Sequence, residues 1–240
     1  MKYFIAIFAA LALAMPVVAQ EKTQLKDQKD KVSYAIGLNI GANLGKQKIM
    51  INPDAFASGV KDGMNGKPQM TEAEVKETMT AFEKDMEAKQ AAAGDVNAKA
   101  GEKFLAENKG KAGVKTTASG LQYRVIKEGT GARAKETDTV TVNYRGTLID
   151  GTEFDSSYKR GEPATFPLNA VIKGWTEGLQ LMNTGSKYQF FIPASLGYGA
   201  RGAGGDIGPN SALIFEVELI GAKSAAGGAS PAPSPSAKAK

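Results

Sequence analysis

The sequence predicts an α+β protein with a helical front half and a strand-rich back half that holds one short helix. Two observations carry that prediction. Apolar residues recur at helical spacing between about residues 29 and 108, and period-two alternation takes over after residue 117. A third observation bounds the chemistry. The 240 residues include no histidine and no cysteine, so a serine–histidine–acid triad, a cysteine nucleophile, histidine acid–base work, Cys/His zinc sites and disulfides are all excluded. The composition, 42% hydrophobic and 23% charged, supplies apolar material for one or two domains. The net charge of +5 is spread thinly, with 16 basic and 14 acidic residues over 21–116 and 13 and 11 over 117–240. Neither part concentrates the positive field that nucleic acid requires, so no nucleic-acid partner is expected.

At the amino end, Lys2 precedes an apolar run from Tyr3 to Met15, and Val17-Val18-Ala19 places small residues before the polar Gln20. This is the order of a secretory signal, and the run is too short for the ~30 Å of bilayer hydrocarbon at ~1.5 Å per residue. Cleavage after Ala19 is expected, giving a signal peptide over 1–19 and a mature chain outside the cytoplasm with no membrane span. An uncleaved anchor is the alternative. The absence of a cysteine at the cleavage site excludes a bacterial lipoprotein.

From Lys29 to Lys48, Val32, Ile36, Ile40 and Leu44 form one helical stripe, with Gly37, Gly41 and Gly45 in a row beside it. Each helical glycine costs ~1 kcal/mol against alanine, which points to close approach of another helix or to a frayed segment. Asn52-Pro53 reads as a cap and first helical residue, opening a helix with Phe56, Val60 and Met64 inward and ending at Gly66 and Pro68. Thr71 and Glu74 have capping-box spacing, and Val75, Met79, Phe82 and Met86 make a narrow stripe. That helix continues through Gly94 to Asn108, ~55 Å at ~1.5 Å per residue, and reads as an arm joining two parts. The apolar faces exceed what three short helices bury among themselves. An intertwined homodimer through residues 20–90 answers this, with a monomeric bundle as the alternative and a client-binding surface as another use of the Met and Phe stripe. The organisation is then a helical dimerisation domain over 20–70 and a long connecting helix and linker over 71–116.

In the back half, Leu121-Gln122-Tyr123-Arg124-Val125 and Val140-Thr141-Val142-Asn143-Tyr144 alternate as strands, Asp150-Gly151 signals a hairpin, and Lys187 to Pro193 and Ala212 to Ile220 suggest further strands. Val171 to Met182 reads as one short helix with Trp175, Leu179 and Met182 inward. Residues 222–240, rich in glycine, proline and serine, read as a disordered tail. Gly197, Gly199 and Gly202 match a dinucleotide-loop spacing, but the glycine- and proline-containing run that follows cannot open the helix such a loop needs. No cofactor and no metal site are expected.

Tyr144, Phe154, Trp175, Tyr198 and Phe215, with Val171, Ile172 and Ile207 near them in the pattern, could be plain core or could line a cavity. The segments Val142 to Leu148, Asp150 to Ser157, Val171-Ile172-Lys173-Gly174-Trp175, Ile192-Pro193 to Tyr198-Gly199 and Leu213 to Leu219 favour the cavity. In that order they resemble an FKBP-type peptidyl-prolyl cis–trans isomerase domain over residues 117–221. The front half is similar to the dimerisation region of the Mip-like and FkpA-like periplasmic members, through Val32-Ser33-Tyr34-Ala35-Ile36-Gly37 and the long helix.

The resemblance implies a twisted antiparallel sheet wrapped around the short helix, and a location in the periplasm of a Gram-negative bacterium, with outer-membrane association an option. It implies a proline pocket with Trp175 as floor and Tyr144, Phe154, Val171, Ile172, Ile207 and Phe215 as walls. Tyr198 hydroxyl and the Ile172 N–H would hold substrate carbonyls, and Asp155 would pair with Arg160 at the edge. Ala164, two positions before Phe166, and a short loop between Leu168 and Val171 depart from many members and open the rim. Macrolide inhibitors of the FK506 class are therefore implied as ligands less firmly than proteins with X-Pro bonds are as substrates. The missing residue types suit such a reaction, because rotation about an X-Pro bond needs no nucleophile, metal or proton shuttle. Two functions follow: a dimeric isomerase that accelerates protein folding and doubles as a chaperone, or a non-catalytic client-binding chaperone or interaction module. With Asp and Tyr reference pKa values near 4 and 10, an isomerase of this kind should be insensitive to pH between about 5 and 9.

Overall fold

The computed structural model describes residues 24–47 and 49–224, so the expected signal peptide and the tail beyond Ser224 lie outside the described residues. The chain divides into two units, with the boundary between Ala42 and Asn43 inside the first helix, α1 (Gln28–Lys46). Asp27 starts α1 by accepting the Asp30 N–H on its side chain at 2.8 Å. The stripe of Val32, Ile36 and Ile40 forms as the spacing predicts but stands in solvent, 48%, 56% and 36% exposed. A Cβ added at Gly37, Gly41 or Gly45 would meet nothing within 4 Å, so the helix expected beside the glycine row is not supplied by the described residues.

In the second unit, α2 (Pro53–Asn65) begins where Asn52 caps the N–H groups of Asp54 and Ala55, and it ends at Gly66 in the left-handed conformation. Phe56, Val60 and Met64, expected inward, are exposed, because no other described segment covers that face. The next helix, α3 (Glu72–Lys109), starts at a capping box in which Thr71 and Glu74 satisfy each other's backbone. It runs unbroken through Gly94. Val75, Met79 and Phe82 on its first turns are exposed, while Gly94, Gly101 and Asn108 further along are buried.

Seven strands form one antiparallel sheet: β1 (Val114–Thr116), β2 (Gln122–Lys127), β3 (Thr139–Leu148), β4 (Glu153–Ser156), β5 (Ala164–Pro167), β6 (Lys187–Ile192) and β7 (Leu213–Lys223). Their order is β1-β2-β6-β7-β3-β4, with β5 also paired to β3. Two expectations change here. Residues 114–116, read as linker, pair with β2, and β7 carries Ala222 and Lys223, read as tail, into register with Val140 and Thr139. The Asp150-Gly151 turn joins β3 to β4 as its hairpin signal predicts, Gly151 lying at φ 88°.

Alternation sets the faces. Val140, Val142 and Tyr144 of β3, Phe190 and Ile192 of β6, and Leu213, Phe215, Val217 and Leu219 of β7 share one core with Trp175 and Leu179. Those last two residues lie on α5 (Lys173–Leu179), shorter than the predicted 171–182 helix because Ile172 is extended at ψ 146° and Gln180 ends the ladder. Met182 is fully buried all the same, in the turn beyond. Close approach fixes how α5 lies: a Cβ at Gly174 would fall 2.6 Å from Ile192 and one at Gly178 2.7 Å from Phe190. The opposite face of β6 is covered by α3, whose Phe104 ring lies 6.0 Å from Phe191. Asn108 and Gln122 hydrogen-bond there at 2.9 Å, and Gln122 donates to the Leu105 carbonyl at 2.8 Å.

Candidate active site

A cavity of ≈ 970 Å³ opens between α5, the inner face of the sheet and the loop joining β6 to β7. Trp175, set by the first turn of α5, is its floor. Around the indole stand Tyr144 edge-on at 5.0 Å and 90°, Phe215 edge-on at 5.1 Å and 85°, and Phe166 tilted at 5.5 Å. Phe154 packs edge-on against Phe215 at 5.4 Å. Register explains the grouping: Tyr144 and Phe215 are inward residues of adjacent strands, and Gly146, opposite Phe215, leaves room for both phenylalanine rings. Edge-to-face packing adds ~0.5–1.5 kcal/mol per pair beyond burial and fixes the ring positions.

The polar edge is built by the short turn α4 (Ser157–Arg160), which Ser156 caps and Gly161 ends in the left-handed conformation. Fully buried Ser157 ties this turn to β3 by accepting the Tyr144 N–H at 2.8 Å. One helical turn then carries Arg160 back to Asp155. The Asp155 carboxylate accepts from Tyr144 hydroxyl on one oxygen and from Arg160 Nη1 on the other, and Arg160 Nη2 donates to the Tyr144 hydroxyl at 2.8 Å. Burial, reinforced by the Asp155 hydrogen bond, pushes the Tyr144 phenol up to about 12. Burial and the Asp155 charge push Tyr198 up as well. Desolvation opposes the charge on Arg160, yet its hydrogen bonds to Tyr144 and Asp155 raise it overall.

Donors on cavity-lining residues that have no protein partner among the described residues include the buried Trp175 Nε1, the Tyr198 hydroxyl and the Ile172 N–H. Tyr198, on the β6–β7 loop, has no acceptor for its hydroxyl, and no acceptor reaches the N–H of Ile172, whose carbonyl caps α5 through Trp175 and Thr176. Every residue singled out from the sequence lies on this one cavity: Tyr144, Phe154, Asp155, Arg160, Val171, Ile172, Trp175, Tyr198, Ile207 and Phe215. Ala164 lines it too, at the rim position named from the sequence. Phe166 was not singled out, although its inward place on β5 follows from pairing with Val140. The glycine-rich stretch after Gly197 makes a one-turn 3-10 helix (Gly199–Arg201) and a loop closed between Ala203 and Ile207, with no helix to receive a pyrophosphate.

Comparison with known proteins agrees with this geometry over both halves. A family described as FKBP-type peptidyl-prolyl cis-trans isomerase matches residues 131–220, and one described as the domain amino terminal to it matches residues 29–125. The chain is 48% identical over 233 residues to the outer membrane protein MIP of Legionella longbeachae, covering 94% of this chain and 99% of that one. It is 47% identical over 228 residues to the peptidyl-prolyl cis-trans isomerase Mip of Coxiella burnetii, covering 93% and 99%. The crystal structure of FkpA from Escherichia coli superposes with a TM-score of 0.60 at 39% identity, over 84% of this chain and all of that one.

Proposed function

The chain belongs to the FKBP-type peptidyl-prolyl cis–trans isomerase family, and on that premise we propose that its aromatic cavity is the proline site and that the enzyme serves protein folding outside the cytoplasm. The observation that carries the site assignment is the juxtaposition of an aromatic floor with the unpartnered donors Tyr198 hydroxyl and Ile172 N–H at its side. The proline ring lies on Trp175 between Tyr144, Phe166 and Phe215. Tyr198 and Ile172 N–H hold carbonyls of the flanking peptide, and Val171, Ile207 and Phe154 close the sides.

The barrier to rotation, ~18–20 kcal/mol, is the amide resonance that planarity allows. The planar amide is the more dipolar form, so removing water from its carbonyl raises it relative to the twisted one. Donors fixed on flanking carbonyls hold the segment in the twisted geometry at no reorganisation cost. None of these steps moves a proton. Wild-type enzyme should therefore accelerate cis–trans exchange of a proline tetrapeptide, and Tyr198→Phe should lower kcat/KM about three- to tenfold, the value of one hydrogen bond of ~0.5–1.5 kcal/mol. A wild-type rate at background, or an unaltered Tyr198→Phe, defeats the assignment.

The pH dependence follows from the raised phenols. Tyr144, at about 12, and Tyr198, above its ordinary value, both stay neutral through the assay range, so kcat/KM should be level between about pH 5 and 9. Stability carries the opposite signature. The folded Tyr144 pKa exceeds the unfolded one, so its contribution is complete below about pH 10 and is lost as pH rises towards 12. The thermal midpoint should hold to pH ~10 and then fall, while a bell-shaped activity profile centred near neutrality contradicts this site.

The finer reading is of a periplasmic homodimer that also acts as a chaperone, with residues 20–70 joining two copies, residues 71–116 as arm and 117–221 as isomerase domain. The secretory pattern before Gln20 and the outer-membrane name of the Legionella relative support the location. Among the described residues, no helix is long and apolar enough to cross a membrane. The exposed stripes of α1, α2 and early α3 support both self-association and binding of unfolded clients.

A further inference from the structure

Five cavity residues, Tyr198, Ala203, Gly204, Asp206 and Ile207, come from the loop between β6 and β7, which joins the core through Leu196, Ala203 and Ile207. It is cross-tied within itself: Ala203 and Ile207 exchange backbone hydrogen bonds at 2.8 and 3.0 Å, and the Asn210 N–H donates to the Gly199 carbonyl at 2.8 Å. Beyond that apolar packing and the approach of Gly205 to the end of α1 at Lys46, the loop's side-chain hydrogen bonds to the rest of the unit, among the described residues, go to α3. Asn97 Nδ2 donates to the Pro209 carbonyl at 2.9 Å, and Asn210 Nδ2 reaches the Gly94 carbonyl at 3.5 Å. A Cβ at Gly94 would sit 3.2 Å from Pro209 and Asn210, and one at Gly101 3.1 Å from Ala212. Asn210 is the single non-glycine residue at positive φ, 54°, among the described residues, and its side chain is the group turned to the helix.

These contacts share one line on α3. Gly94, Asn97, Gly101, Phe104 and Asn108 follow a 3-4-3-4 spacing, the seam of a helix packed along its length. The seam meets the loop at its first three positions and the sheet at the last two, through Phe191 and Gln122. Small residues at positions 94 and 101 bring the backbone close enough for Asn97 to reach a main-chain carbonyl.

We infer that Asn97 is a positioning residue for the isomerase reaction: by holding Pro209 two residues beyond Ile207, and with Gly94 holding Asn210, α3 sets the loop that places Ile207 and Tyr198 over Trp175. This rests on the cavity being the proline site. The arm helix is then part of the catalytic apparatus from Gly94 onward, and a disturbance of its seam is felt at the cavity wall.

Trp175 is the one tryptophan of the chain and forms the cavity floor, so its fluorescence reports the wall directly. In the full chain, Asn97→Ala removes the donor from the helix side. Asn210→Gly removes the side chain from the loop side while keeping a residue suited to positive φ. Both should lower kcat/KM on a proline tetrapeptide by about fivefold and increase acrylamide quenching of Trp175, with the urea midpoint of the sheet little changed. Lys89→Ala, on the exposed part of the same helix in a surface pair with Asp85, should change neither. Wild-type kcat/KM in both seam variants overturns the inference. So does a loss that only tracks the unfolded fraction, or one with Trp175 quenching unchanged. An inactive wild type would instead remove the proline-site reading itself.

Discussion

Replacing Asp155 by alanine is expected to lower kcat/KM on proline peptides by ~10- to 100-fold while moving thermal stability little. Both carboxylate oxygens are engaged, one by Tyr144 hydroxyl and one by Arg160, whose guanidinium also lies 5.3 Å from the centre of the Tyr144 ring. Without the carboxylate, Arg160 keeps an uncompensated charge at the rim of an apolar cavity. Tyr144 loses the acceptor that orients a ring packed 5.0 Å from Trp175. Hydrogen bonds to charged groups are worth ~1.5–3 kcal/mol, which converts to the stated loss if the geometry they enforce is used in the transition state. Stability responds differently because the Asp155–Arg160 pair is partly exposed, 36% and 43%, and such pairs contribute only ~0–1 kcal/mol to folding. Asp155→Asn, which keeps the shape and one acceptor, should fall between. A peptide assay beside a thermal melt separates the two effects, and wild-type kcat/KM in Asp155→Ala would remove Asp155 from the site.

The parts of this protein that were legible in the sequence are those where one physical rule acts locally. Asn52-Pro53 and Thr71 to Glu74 start helices where their capping chemistry says, and the alternation of Val140, Val142 and Tyr144 marks the face that meets Trp175. That the aromatics line a cavity was legible only through resemblance, since inward aromatics on strands are more often plain core than a site. What stayed hidden depends on distant partners. Phe56, Val60 and Met64 have helical spacing, but spacing cannot say whether the covering surface belongs to the same chain. The seam of α3 escaped because Gly94, Asn97, Gly101 and Asn108 are small or polar, and a search for apolar periodicity passes over contacts made by close backbone approach and amide hydrogen bonds. Residues 114–116 looked like linker because a three-residue edge strand offers too little alternation to be distinguished from one. Phe166 was passed over for a related reason: its inward direction comes from pairing with Val140 on a strand of four residues.

Converting the exposed stripe of α1 to charge should have the largest effect of all, and on one activity only. For the homodimer proposed above, Val32→Asp with Ile36→Asp is expected to give a monomer by light scattering where the parent chain gives a dimer. Tetrapeptide isomerisation should be unaltered, and acceleration of a proline-limited protein refolding reaction should drop by at least about tenfold. Burial of a Val or Ile side chain is worth ~1.5–3 kcal/mol, and an unpaired carboxylate in its place adds a desolvation cost of several kcal/mol. A two-fold interface carries every substitution twice, so two changes per chain act as four. The cavity lining, from Tyr144 to Phe215, lies within the second unit and the Val32–Ile36 stripe in the first, so a short peptide has no use for that stripe. An unfolded protein can engage two copies at once, and joining two sites raises avidity ~10²- to 10⁴-fold without a new contact in either cavity. The two readouts therefore divide the possibilities. A variant that stays dimeric places the interface elsewhere than on the Val32–Ile36 stripe. A monomer that refolds the protein as fast as the parent shows that one cavity suffices, and it leaves client binding, not pairing of sites, as the work of the exposed helical faces.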